Sequence, residues 1–273
     1  MINYAKLPTE RSNPSSRAVD RMTAGAVLRL MNREDEKIPR SVKREIPRIE
    51  RAVKLITRSL EDGGRIFFAG AGTSGRLGVL ESAELPPTFG TPPSMVQAFM
   101  AGGKKAVFRS QEGAEDDTAA ARSAIRKKVR RGDIVIGIAA SGVTPYAKAA
   151  MREAGKCHAK TIFVTCNPAA PKNLADVTIA LRVGPEVITG STRLKSGTAT
   201  KMVLNMLTTC SMVRLGKVRG NRMVDLQPRS RKLRERGIRL VRELTGVSRA
   251  RARALFNRAR GHVKKAVALA HPS

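Results

Sequence analysis

Glycine and hydroxyl residues cluster after a short apolar run near the end of the first quarter of the chain: Gly70, Gly72, Thr73, Ser74 and Gly75. Closely spaced glycines permit a sharp turn that points several backbone N–H groups in one direction. The two hydroxyl groups add donors, and the helix predicted to begin near Arg76 adds the positive end of its dipole. Such a combination binds anions, and phosphate is the most natural choice.

The glycine spacing matches G-x-G-x-x-G, a pattern that dinucleotide-binding folds also use. Such a fold places an acidic residue at the end of its second strand, and the second strand predicted here, residues 95–100, carries none. A phosphate-binding P-loop requires Lys after its last glycine, where this chain has Arg76. A turn that only packs a helix onto a strand is the remaining alternative, but hydroxyl side chains are odd choices for packing. We therefore predict a site for a small phosphorylated ligand.

A second loop of the same kind follows the strand predicted at residues 133–139. It contains Ser141, Gly142 and Thr144, and Pro145 then opens a helix. Simple helix capping explains this loop equally well when it is considered alone. Two such loops in one parallel sheet favour a shared anion pocket at the carboxyl ends of the strands.

A third polar segment, residues 190–198, leads into a long apolar helix predicted at residues 202–215. Arg193 and Lys195 lie in it and are candidates for contact with a phosphate. For Lys195, ordinary surface charge is the alternative, because cations are plentiful in this chain.

Two carboxylates are notable for their positions in the predicted elements. Glu84 lies near the end of the helix that follows the glycine loop, before a Pro-Pro pair that is predicted to end that helix. Glu115 belongs to an acidic cluster in a loop, and charge at a helix start explains its neighbours Asp116 and Asp117 better than it explains Glu115. None of the three histidines falls in a candidate loop. A partly desolvated carboxyl group near a phosphate should have a raised pKa, which suits a general acid.

The order of elements predicts the fold class. Short apolar strands alternate with helices, which requires a parallel sheet covered on both faces, a three-layer αβα sandwich. Residues 1–60 read as an arm and helices that pack on the core, and residues 61–220 as the domain that binds the phosphorylated ligand. Residues 221–273 read as a small, basic bundle of helices, predicted at residues 233–244, 248–260 and 262–270.

Composition limits the classes of protein that fit. No apolar run is long enough to span a membrane and no signal-peptide core precedes residue 14, so we expect a cytoplasmic protein. The three cysteines show neither a metal-ligand spacing nor an even count, so we expect no metal site and no disulfide framework. With 41% apolar residues, the chain has enough material for a core.

The formal charge of +30 is extreme, and its distribution is uneven. Residues 214–265 contain 18 Lys and Arg against 3 acids, a net charge of +15. Phe256 is the one aromatic residue in this segment, whereas single-strand binders usually interleave aromatic and basic residues. The charge therefore predicts non-specific affinity for polyanions rather than a specific nucleic-acid site.

Taken in order, several segments resemble the N-acetylmuramic acid 6-phosphate etherases, which belong to the sugar isomerase domain superfamily and are related to the glucokinase regulatory protein. The similar segments are residues 9–14, 32–39, 70–90, 112–116, 139–146, 166–168 and 190–206. The basic bundle, around residues 245–247, resembles the family's ubiquitin-associated-like C-terminal domain. In three respects the chain departs from the family: Val143 replaces the usual Arg, the C-terminus comes early, and the bundle is unusually basic.

The resemblance implies a lyase that removes D-lactate from N-acetylmuramic acid 6-phosphate, by elimination and then addition of water, in peptidoglycan recycling. It implies a homodimer with active sites near the subunit boundary and no cofactor. Glu84 matches the family's proton donor, and Glu115 matches its second catalytic acid/base. The residues expected to bind substrate and phosphate are Gly72, Thr73, Ser74, Gly75, Ser141, Gly142, Thr144, Ser191 and Lys195.

Two alternatives to the etherase remain at the level of sequence. An aldose–ketose phosphate isomerase would use the same removal of the C2 proton without a leaving group. A non-catalytic sugar-phosphate sensor with a basic nucleic-acid-binding tail would use the same pocket. The presence of both Glu84 and Glu115 favours an enzyme over a sensor.

Overall fold

The computed structural model describes residues 7–225 and 231–270, so predictions for residues 1–6, 226–230 and 271–273 lie outside the described residues. Its centre is a five-stranded sheet in which all neighbours are parallel, in the order β2-β1-β3-β4-β5. The strands are β1 Ile66–Gly70, β2 Val96–Met100, β3 Ile134–Ile138, β4 Lys160–Thr165 and β5 Val177–Ala180. β1 and β3 are buried at every position, as expected of inner strands covered on both faces.

Helices cover both faces of the sheet. They are α1 Ala24–Asp35, α2 Lys37–Glu61, α3 Gly72–Phe89, α4 Gly103–Phe108, α5 Thr118–Lys128, α6 Pro145–Lys156 and α7 Lys195–Arg214. One hydrophobic cluster joins α2, α3 and α7 to one face of the sheet, and a second cluster joins α5 and α6 to the other face. The predicted αβα sandwich is therefore confirmed.

Two connections leave the sheet in opposite directions at its centre. The chain passes from β1 through α3 to β2 on one side, and from β3 through α6 to β4 on the other. β1 and β3 are direct neighbours, with Gly70 paired to Ile138. In open α/β sheets, ligands bind at the carboxyl ends of the strands where the order reverses. The fold therefore puts the binding crevice between the loops that follow β1 and β3.

Several helix boundaries differ from the predicted ones. Pro86 and Pro87 lie inside α3 rather than ending it, and the helix ends at Gly90, whose φ is +66°. The fixed φ of proline is itself helical, and burial of Leu85 and Phe89 in the core stabilises the last turns. α7 begins at Lys195 instead of residue 202, so the polar segment supplies its first two turns.

The C-terminal part contains the three predicted helices, α8 Arg231–Thr245, α9 Arg249–Arg258 and α10 Val263–Ala270. A short hairpin of β6 Val218–Arg219 and β7 Arg222–Met223 precedes them and was not predicted. The helices share a third hydrophobic cluster with Val224. The domain boundaries at residues 60/61 and 220/221 stay predictions. Within the described ranges, no helix has the length and apolar character needed to cross a membrane.

Candidate active site

The loop after β1 passes directly into the first turn of α3. This helix starts at Gly72, four residues before the predicted start. Thr73 and Ser74 therefore lie in its first turn, half-buried, and no described residue hydrogen-bonds to either hydroxyl group. The first turn of a helix has unpaired N–H groups and a positive partial charge. Two free hydroxyl groups at that position are arranged to bind an anion.

Gly75 is required by the close approach of α3 to the sheet. A Cβ atom at this position would lie 2.6 Å from the Gly70 carbonyl oxygen and 2.5 Å from the Met100 sulfur. A larger residue would push the start of α3 away from β1 and β2. The glycine spacing thus has a packing function, which does not exclude a role in ligand binding.

The loop after β3 is held by the end of β4. Asn167 donates from Nδ2 to the Ser141 carbonyl oxygen over 2.8 Å, and the Ser141 hydroxyl accepts the Val143 N–H at 3.3 Å. Gly142 has φ +74° and lies against Asn167, a conformation that favours glycine. Thr144 precedes α6 without capping it through its side chain, so its hydroxyl remains available. Asn167 belongs to residues 166–168, which resemble the etherase family, but it is not among the predicted site residues.

The start of α7 faces the start of α3. A Cβ atom built on Gly197 would lie 3.6 Å from the Thr73 methyl carbon. The fully buried Glu186 already accepts the first N–H groups of α7, from Lys195 at 3.0 Å and from Ser196 at 2.8 Å. Because a protein carboxylate occupies this helix end, its N–H groups are not available to another anion, whereas no described side chain caps the start of α3.

Lys195 lies beside the predicted pocket, but its ammonium group has a protein partner. The Nζ atom is 2.5 Å from Glu34 Oε2, and the two side chains are 1% and 4% exposed. Burial by itself would raise the pKa of Glu34, but hydrogen bonds from Lys195 and Lys37 outweigh it and lower this pKa to about 2. Asn13 also donates to Glu34, over 2.9 Å. This geometry favours a structural role for Lys195, and its phosphate contact stays a prediction.

Ser191 lies in the turn before α7, where its carbonyl oxygen accepts the Leu194 N–H at 3.2 Å. The N-terminal segment holds this turn in place, because the Gly190 N–H donates to the Thr9 carbonyl oxygen at 3.1 Å. The predicted N-terminal arm contains 3₁₀ turns at Pro8–Glu10 and Pro14–Ser16. Part of the N-terminal segment thus packs against the turn that carries Ser191.

Glu115 lines a cavity of about 170 Å³ together with Gly72 and Arg76. It lies in the 3₁₀ turn Ala114–Asp116, and its side chain is exposed. The Arg76 Nε donates to the Val107 carbonyl oxygen at 3.0 Å, which holds the guanidinium group at the cavity wall. The Glu115 carboxylate, the Arg76 guanidinium group and the glycine loop of one chain therefore lie around the same cavity. In the sequence, Arg76 indicates only that the loop is not a P-loop. Its place at the cavity wall was not predicted.

Glu84 is far from that cavity within the same chain. It is exposed on α3, about three turns or roughly 18 Å beyond Gly72. It lines a separate groove between α3 and α7 with Glu81, Thr209 and Val213. The structure thus brings Glu115 to the glycine loop but does not bring Glu84 there.

The parallel sheet and its paired loops define a sugar isomerase domain protein. A model of the glucokinase regulatory protein N-terminal sugar isomerase (SIS) domain matches residues 48–154, and a general SIS domain model matches residues 113–210. A solved phosphoheptose isomerase from Neisseria gonorrhoeae aligns with a TM-score of 0.53 and 16% identity, covering 69% of this chain and 98% of that protein. This likeness concerns the fold alone.

Comparison with curated proteins identifies the family more narrowly. The N-acetylmuramic acid 6-phosphate etherase of Symbiobacterium thermophilum is 49% identical over 263 residues, covering 96% of this chain and 88% of the relative. The protein of the same name from Salinibacter ruber is 51% identical over 268 residues, covering 96% of this chain and 86% of that relative. The chain belongs to the N-acetylmuramic acid 6-phosphate etherase family.

Proposed function

We propose that the protein cleaves the lactyl ether of N-acetylmuramic acid 6-phosphate, giving N-acetylglucosamine 6-phosphate and D-lactate in amino-sugar recycling. Family membership supports this assignment most directly, through identities near 50% over nearly the whole chain. The free hydroxyl groups of Thr73 and Ser74 at the start of α3 supply a place for the phosphate. Glu115 lines a neighbouring cavity together with Gly72, at the start of the same helix, and supplies a carboxylate beside the glycine loop.

The reaction proposed is an elimination followed by hydration, catalysed as a lyase. In the first step a base removes the C2 proton of the ring-opened sugar, while an acid protonates the ether oxygen at C3 and D-lactate departs. Water then adds to the double bond, and the proton returns to C2. We assign proton donation to Glu84 and the second acid/base role to Glu115, since both proton transfers need a positioned group.

Because Glu84 lies about 18 Å from Gly72 along α3, we further propose that each active site uses two chains. Glu84 of one protomer would then act on the substrate bound at the glycine loop and Glu115 of its partner.

One measurement tests the overall function: incubation with N-acetylmuramic acid 6-phosphate should release D-lactate in step with the loss of substrate. Conversion to another sugar phosphate without lactate would contradict the etherase and favour an isomerase.

The phosphate group is expected to be essential for efficient turnover. Unphosphorylated N-acetylmuramic acid should react with a kcat/KM at least about 10²-fold lower, because it leaves the donors at the start of α3 unused. Thr73→Val combined with Ser74→Ala should raise KM for the phosphorylated sugar more than it lowers kcat. Steady-state kinetics with both sugars measures this. Equal kcat/KM for the two sugars would remove the basis for the phosphate pocket.

The outward face of α3 and α7 is proposed as the dimer interface. Leu80 and Val213 are 47% and 46% exposed there, on the two helices that border Glu84. Leu80→Glu is expected to give monomers by light scattering at micromolar concentration and to abolish lactate release, because charge in an apolar interface opposes association. Ser123→Glu on α5, in the opposite helical layer, is the matched control and should remain dimeric. A fully active wild-type monomer would refute the proposal.

The basic C-terminal helices are proposed to bind polyanions without sequence preference. A groove on α8 and α9 is lined by the exposed cations Lys232, Arg239 and Arg242, among others. Replacing these three by Gln should weaken the salt dependence of DNA retention. The slope of log K against log[salt] should become smaller in magnitude by about 3. Lactate release should stay nearly unchanged. A preference for one DNA sequence that survives high salt would overturn this proposal.

A further inference from the structure

Four residues of α3 form one continuous face of the helix. Thr73, Leu77, Leu80 and Glu84 follow one another at spacings of four, three and four residues, which places them within about 60° of one another around the helix axis. Leu80 is 47% exposed and Glu84 is exposed, whereas Thr73 and Leu77 are half-buried. These four residues are called the Leu80 face below. Its centre is apolar, and its two ends are polar.

The two ends of the Leu80 face differ in charge. Thr73 lies in the first turn of α3, where no described side chain caps the helix and the helix dipole has its positive end. Glu84 lies at the other end of the face and forms no ion pair with a described Lys or Arg, although the chain contains 52 such residues. The face thus carries a carboxylate at one end and an uncapped, positive helix start at the other.

Such a face is complementary to a second copy of itself. Contacts in a two-fold dimer occur in symmetric pairs, because each residue that touches a second one is touched by its equivalent across the axis. When two α3 helices lie antiparallel with the axis between Gly78 and Val79, Leu80 faces the partner subunit's Leu77, and Glu84 faces the partner subunit's Thr73. The apolar centres then cover each other, and each carboxylate meets the positive start of the opposite helix.

We propose that two copies of the chain pair antiparallel through the Leu80 face, so that Glu84 completes the site at the start of the partner's α3. The proposal rests on the proposed function, in which this helix start holds the phosphate and Glu84 donates the proton. Packed helices lie about 8–10 Å apart, whereas Thr73 and Glu84 of one chain are about 16 Å apart along α3. In this pairing Glu84 is therefore nearer to the glycine loop of the partner than to its own.

Disulfide formation between single-cysteine variants tests this register. Leu77→Cys and Leu80→Cys are made separately in Cys210→Ser protein, because Cys210 is exposed on α7. The two variants are refolded together and oxidised with copper phenanthroline. Random exchange puts about half of the chains in mixed dimers. We expect about that share to become disulfide-linked, since a disulfide joins Cα atoms that are about 4.4–6.8 Å apart. Each variant oxidised alone should link less.

Ala83→Cys is the matched control for the disulfide experiment. Ala83 is exposed on the same helix, but it lies about 90° around the helix axis from the centre of the Leu80 face. Refolded with the Leu80→Cys variant and oxidised in the same way, it should give little disulfide-linked dimer.

A chemical cross-link tests the contact of Glu84 directly and does not depend on substitutions at the two leucines. In Thr73→Lys protein, a carbodiimide should join the introduced amine to Glu84 of the partner subunit. Mixing protein of natural isotope content with nitrogen-15-labelled protein identifies the product as a link between chains by mass spectrometry. Thr73→Lys combined with Glu84→Gln is the control, because it lacks the carboxylate.

Three results would each overturn the proposal: equal disulfide yields with Ala83→Cys and Leu77→Cys, no cross-link between residue 73 and Glu84, or a monomeric wild-type protein. Wild-type protein that releases no D-lactate would contradict the proposed function instead. The disulfide and the carbodiimide product would still decide how the two helices pair, because neither requires turnover.

Discussion

Glu84→Gln and Glu115→Gln should each lower kcat for D-lactate release by about 10²–10⁴-fold, because each removes a positioned acid or base. Both side chains are exposed, so neither substitution disturbs the core, and circular dichroism and thermal melting should match the wild type. Asp116→Asn, in the same 3₁₀ turn as Glu115, is the matched control and should keep near wild-type turnover. Near wild-type activity in either glutamate variant would show that its assigned role is wrong.

Mixing the two inactive variants tests whether one active site uses two chains. In a mixed dimer of Glu84→Gln and Glu115→Gln protomers, one site combines both substitutions and the other combines two intact glutamates. Random exchange of subunits should therefore restore about one quarter of wild-type activity. If both glutamates acted within one chain, every site would carry one substitution and no activity would return. Unfolding and refolding the variants together provides the exchange, with each variant refolded alone as the blank.

Lys195→Met is expected to destabilise the fold by about 3–5 kcal/mol, because it leaves Glu34 charged and buried without its main partner. Lys37→Met removes the other cation that contacts Glu34, but this lysine is 58% exposed, and its loss should cost less than about 1 kcal/mol. Denaturant unfolding measures both. The double variant Glu34→Met with Lys195→Met should recover much of the lost stability, since apolar replacements of a buried pair are often tolerated. A stable Lys195→Met protein with a raised KM would instead support the predicted phosphate contact.

The same pair makes stability depend on pH. The pKa of Glu34 falls from its ordinary value of 4.5 to about 2 on folding, so its contribution is fully present above pH 4.5. It is lost as the pH falls through about 2, where the folded protein also binds the proton. Glu34→Gln should flatten the decline in the free energy of unfolding across this acidic range. If the free energy of unfolding of that variant declined at acidic pH as it does in the wild type, other carboxylates would be responsible for the decline.

Much of the fold could be predicted because its signals are local. Buried strands such as residues 134–138 are short apolar runs bounded by polar residues, and strands that alternate with helices require a parallel sheet. The glycine loop was recognised for the same reason, since the residue types of a tight turn are read over a few positions. Local rules failed where packing outweighed them. Pro86 and Pro87 were expected to end α3, but burial of Leu85 and Phe89 carries the helix past them.

The sequence by itself determined the alternation of strands and helices and the two hydroxyl-rich loops, and its family resemblance indicated Glu84 and Glu115 for proton transfer, a role that stays a prediction. Only the tertiary structure decided the strand order, which makes the loops after β1 and β3 neighbours. It also decided that Lys195 pairs with Glu34, 161 positions earlier, and that Glu84 and Glu115 line different cavities. Turn and strand preferences act between residues close in the chain. Partners far apart in sequence meet only after the sheet and its crossover helices have set their positions.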